Sequence, residues 1–83
     1  MELYVVYLGG RLEPGRMGED HEVVLVAADS LAAARSAAKK KWRGSGRAHV
    51  DAVARVAVLD GHRVTLTPTD EPDRIETDDT YTP

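Results

Sequence analysis

The chain has 83 residues, 42% of them hydrophobic and 30% charged, with a formal net charge of −3. That length allows one domain at most, and the composition excludes collagen-like, mucin-like and wholly disordered chains. The charge is unevenly spread: residues 1–67 hold 10 of the 11 Lys and Arg and 8 of the 14 Asp and Glu, whereas residues 68–83 set Arg74 against Asp70, Glu71, Asp73, Glu76, Asp78 and Asp79. We therefore expect a single, mildly basic α+β domain over residues 1–67 and an acidic, disordered C-terminal tail over 68–83.

Taken in chain order, Leu3–Leu8 (LYVVYL) is an apolar run rich in Val and Tyr, and it predicts a buried strand ended by Gly9-Gly10. Arg11 to Asp20, with Pro14, Gly15 and Gly18 among charges, predicts a mobile loop. His21–Ala28 predicts the second strand from its β-branched density. Asp29 or Ser30 offers a helix N-cap. Leu31, Ala34, Ala38 and Trp42 then fall within about an 80° stripe of an amphipathic helix. Lys39, Lys40, Lys41 and Arg43 crowd its last turn, where positive charge complements the helix dipole, and Gly44 suits the position after it. Val50–Leu59 alternates, with Val50, Ala52, Ala54, Val56 and Val58 on one side. Asp60-Gly61 is a two-residue hairpin signal, and His62–Thr67 is the returning strand, with Val64 and Leu66 inward.

The expected fold is β-β-α-β-β, one helix packed on a four-stranded, mostly antiparallel sheet in spatial order 2-1-3-4. One helix covers one face of a sheet. Val5 and Tyr7 cannot share that cover with Tyr4, Val6 and Leu8, and an open apolar face invites a partner. A body of about 67 residues buries only ~60% of its unfolded surface, and with no cysteine it has no disulfide or thiolate–metal staple. Self-association through the open face or a sheet edge is the route that remains. The apolar runs are too short for a signal peptide or a membrane span, so a cytoplasmic protein with no membrane partner is expected.

Three constellations could carry chemistry. Glu19 and His21 at the start of the second strand, with His49 and Asp51 at the start of the third, could ligate a metal or exchange protons. No H-E-x-x-H-type spacing supports a metal, so none is assigned and no cofactor is expected. The glycines at 9, 10, 15 and 18 match no phosphate-loop pattern, and a strand rather than a helix follows them, so they read as turn chemistry. The basic cluster Lys39, Lys40, Lys41 and Arg43, with Arg35 and Arg47 nearby, could neutralise phosphates. It fans around the helix end and lacks interleaved stacking aromatics, so nucleic-acid binding is not favoured. The acidic tail could fold back over that cluster.

YVVYLGGR, E-x-H-E at Glu19–Glu22 followed by VVLVAADS, a short helix ending in Trp42, AHVDA at 48–52 and LDGHRV at 59–64 together resemble a small bacterial domain family known as a domain of unknown function, found as one or two copies per chain. The resemblance spans roughly residues 3–66 and implies no activity. Its tandem copies imply that two domains pack together, here as a homodimer. The functional expectation is a homodimeric binding or regulatory module without catalysis. The alternatives are a metal-dependent or acid–base site at Glu19, His21, His49 and Asp51, or a weak nucleic-acid binder through Lys39–Arg43.

Overall fold

Glu2–Arg11 forms β1 and Asp20–Ala28 forms β2 in the computed structural model of the chain, which describes residues 1–83. Leu31–Lys40 is α1, Ser45–Val56 is β3, and Val58–Leu59 and His62–Arg63 are the short β4 and β5. The three long strands make one sheet in the order β2-β1-β3, with both outer strands antiparallel to β1. β2 and β3 therefore run in the same direction and begin at the same end of the sheet.

Period-two alternation assigns the faces of β1. Tyr4, Val6 and Leu8 are wholly buried and, with Val26, Ala28, Ala34 and Ala38, form the core. α1 lies across this face against all three strands. Its two buried positions are alanines, which lets the helix sit close to the sheet. Ser30 caps it, its hydroxyl accepting from the Ala33 N–H at 3.0 Å. At the far end of the sheet the Glu2 carboxylate accepts from Tyr4 Oη and pairs with Arg55 at 3.2 Å. Tyr4 chiefly, and then Glu2, hold the Arg55 guanidinium above its ordinary value.

Several expectations are corrected. The four-stranded sheet is instead a three-stranded sheet and a separate two-stranded β4–β5 ribbon. The turn is as expected, with positive φ at Asp60 (51°) and Gly61 (76°). The returning strand, however, keeps only His62 and Arg63, because Val58 and Leu59 turn away to pair with them rather than extending β3. Val64 is half-buried and Leu66 is 37% exposed, so neither enters the core.

Gly9-Gly10 does not end β1: the strand runs on to Arg11, pairing with both neighbours. The helix stops at Lys40, with Lys41 as its cap and Trp42 just beyond, so Gly44 is not the residue that ends it. Trp42 has instead turned in against Gly10 and Gly44. Leu31, the first residue of the expected stripe, is 46% exposed. The alternation expected along β3 breaks at Asp51. Leu8 pairs with Val50 and Tyr7 with Ala52, leaving Asp51 as the extra residue of a bulge. The bulge moves Val53 to the helix side with Val50, where both pack on the core, and leaves Ala52 and Ala54 on the other side.

No helix or strand packs on that other side of the sheet, although Leu66 and Ile75 of the C-terminal segment line shallow grooves with Leu3, Val23 and Leu25. Tyr7 is 41% exposed, Val23 59% and Leu25 38%, and the three are neighbours across the β1–β2 pair. Beyond Arg63 the chain forms no further helix or strand and is exposed from Thr65 onward. No helix is long and apolar enough to cross a membrane.

Candidate functional site

Gly9 is the pivot of the site. It pairs with His21 on one side and with His49 on the other, so the two histidines flank it at one level of the sheet. Strands two apart stand about 10 Å from each other, and imidazoles on both can lean inward only if nothing rises from the strand between. A methyl group on Gly9 would stand 2.6 Å from His49 Nε2 and 3.0 Å from Asp51 Oδ2. The strand glycine therefore marks a close approach of side chains, a use that glycine within a sheet commonly has.

Two carboxylates close the ring. Asp51 lies 3.1 Å from His49 Nε2 through one oxygen and 3.4 Å from His21 Nε2 through the other. Glu19 spans the same pair, at 3.4 Å from His49 and 3.6 Å from His21. Asp51 reaches both imidazoles because it is the bulged residue, a role that commonly re-aims a side chain. Tyr7, one position along the same face, stacks on the His21 ring with centroids 5.0 Å apart and planes within 5°. The four residues singled out from the sequence thus converge on the open face. Each is between 35% and 51% exposed, so solvent and solutes reach them. Such a ring can hold and pass protons or receive a cationic group. As placed, no three of the chain's His, Asp and Glu side chains gather closely enough to hold a metal ion.

A shallow cavity of about 510 Å³ adjoins the ring, sharing Glu19 and His49 with it. Arg11, Pro14, Gly15, Ser45 and Arg47 also line it, and no Val, Leu, Ile, Met, Phe, Tyr or Trp does. Neither Arg11 nor Arg47 has a carboxylate within 4.0 Å; the paired arginines are Arg16, Arg43, Arg55 and Arg74. Sequence reasoning missed Tyr7, Gly9, Arg11 and this cavity. The available signal was parity, because residues 7, 9 and 11 share a face once β1 is carried past its glycines.

The basic cluster is divided by its contacts. Lys41 Nζ donates to the Leu25 carbonyl at 2.7 Å and lies 4.0 Å from Asp73 of the C-terminal segment. Arg43 pairs with Glu22, whose side chain is only 11% exposed. Lys39 and Lys40 remain exposed and unpaired, so the cluster offers less free charge than its sequence suggests.

These features define a small α+β domain with a half-covered sheet and a polar, ionisable patch at one end of its bare face. A family model described as Domain of Unknown Function (DUF1543) matches residues 16–66, more than half of the chain, and the chain belongs to that family. No curated protein and no solved structure matches it.

Proposed function

We propose that this domain is a homodimeric binding module without catalysis of its own, paired through the bare face of its three-stranded sheet. The observation that carries this reading is the apolar face of the sheet opposite the helix, where Tyr7, Val23 and Leu25 stand exposed side by side. The accessible area of the single chain is 6858 Å², whereas a compact monomer of 9.0 kDa exposes about 4,900 Å². The excess is about 2,000 Å² per copy. The radius of gyration agrees, at 14.7 Å against roughly 12 Å for a compact chain of this length.

The extended residues after Arg63 account for an excess of that size on their own, since about 20 unfolded residues expose up to roughly 3,000 Å². Tyr7, Val23 and Leu25 supply the apolar centre a dimer interface needs. The His–carboxylate ring, farther along the same face, falls at its polar rim, where a ligand can still enter.

Sedimentation velocity from about 1 to 100 μM tests the proposal. The wild-type chain is expected to sediment as a dimer across the range. Val23→Asp should give a folded monomer, because Val23 is 59% exposed in the single chain and takes no part in its core. A wild-type monomer at 100 μM, or a dimer indifferent to Val23→Asp and Leu25→Asp alike, overturns it.

A further inference from the structure

We infer that the cavity beside the ring is a site for a small polar molecule bearing a compact oxyanion, a phosphate or a carboxylate, held by Arg11 and Arg47. The inference rests on the reading of this domain as a binding module, and not on which surface joins the two copies. Two independent observations carry it: the chemistry of the lining and the state of the two guanidinium groups.

The lining comes first. A cavity of about 510 Å³ is of the size that small molecules occupy. Most such sites are lined by large apolar side chains; this one is lined by charged and polar side chains and glycines, with Pro14 the one apolar residue. Such a lining offers charged and hydrogen-bonding groups to an occupant that carries a polar group. At Gly15, Gly18 and Gly46 nothing lies within 4 Å of where a Cβ would stand. No side chain therefore stands over the backbone at these three positions.

The second observation is charge. Arg11 and Arg47 come from different strands, line one cavity and have no acidic partner. The only carboxylate in the wall, Glu19, is turned to His21 and His49 at 3.6 and 3.4 Å. Two arginines that line one cavity and have no carboxylate partner match the paired oxygens of a phosphate or carboxylate, which guanidinium groups bind in bidentate fashion. His49 adds a third polar group at the boundary with the ring. Glu19 beside it disfavours a second negative group at that end, so the oxyanion belongs on the arginine side and a hydroxyl or amino group on the ring side.

Titrating the full-length chain with inorganic phosphate and, separately, with acetate at constant low ionic strength tests this by amide chemical shifts. Saturable shifts are expected at Gly10, Gly15, Gly18 and Gly46, larger for whichever oxyanion the site prefers; stronger phosphate binding indicates a phosphate-bearing ligand and stronger acetate binding a carboxylate. Arg11→Gln and Arg47→Gln should each weaken binding by about tenfold or more, the effect of a lost charge-assisted hydrogen bond. Arg63→Gln, in the β4–β5 ribbon, should leave it unchanged. No saturable shift with either ion, or equal affinity in the Arg11→Gln/Arg47→Gln double variant, overturns the inference. Sedimentation of the same samples separates this outcome from failure of the dimer: a chain that dimerises yet ignores both ions refutes the site alone.

Discussion

Gly10→Ala is the substitution whose effect the geometry determines most fully. The added methyl would stand 2.8 Å from Trp42 Cζ2, 3.2 Å from Cε2 and 3.3 Å from the Arg47 carbonyl oxygen. Carbon atoms at rest lie about 3.5–4.0 Å apart, so the indole ring must retreat by the better part of an ångström. Gly44 approaches the ring closely too: a Cβ there would lie 2.5 Å from Trp42 Nε1 and closer still to the Arg11 carbonyl. The ring lies against the backbone of Gly10 in β1 and of Gly44 in the loop before β3, which leaves it little room to move. Overpacking of this kind costs about 1–3 kcal/mol, against a total stability of roughly 4–12 kcal/mol for a chain of this length. Taking about 2 kcal/mol, the thermal midpoint falls by roughly 8–16 °C. Urea unfolding at fixed chain concentration measures the change, and Trp42, the only tryptophan, reports the displacement directly through its emission. A variant within about 0.5 kcal/mol of wild type, with native emission unchanged, would refute the argument that Gly10 exists to admit the indole.

Other outcomes follow from single contacts. Ser30→Ala removes the helix cap and should cost about 1 kcal/mol in urea unfolding. Arg43→Ala leaves the largely buried Glu22 carboxylate, one oxygen of which already lacks a partner, without its cation; a loss of about 1–3 kcal/mol is expected, and Arg43→Lys should restore part of it. Gly61→Ala forces a side chain into a φ of 76°, at a cost of about 1–2 kcal/mol. Because β4 and β5 share only two residue pairs, that cost should open the ribbon alone, seen as faster hydrogen exchange at Val64 N–H, which bonds the Ala57 carbonyl.

Much of the fold is legible locally. The three main strands, the helix with its Ser30 cap, the Asp60-Gly61 turn and the order of β2, β1 and β3 all follow from periodicity, capping and turn chemistry. Glu19, His21, His49 and Asp51 are legible as candidates because two strands running in the same direction begin at one end of the sheet. What misled the reading was glycine: Gly9-Gly10 looks like punctuation when only the neighbouring residues are considered. In the fold it is a gap left for His49, Asp51 and Trp42, which come from 30 or more residues away.

The sequence by itself determines an amphipathic helix, apolar strands and the sign of each segment's charge, since these depend on residues within a turn or a strand of one another. Tertiary structure alone decides that Asp51 bulges out to bridge two histidines, that Arg11 and Arg47 share a cavity, and that β4 and β5 leave the sheet. Those outcomes depend on register and on side chains meeting across strands, where one extra residue in β3 reverses which face its neighbours occupy.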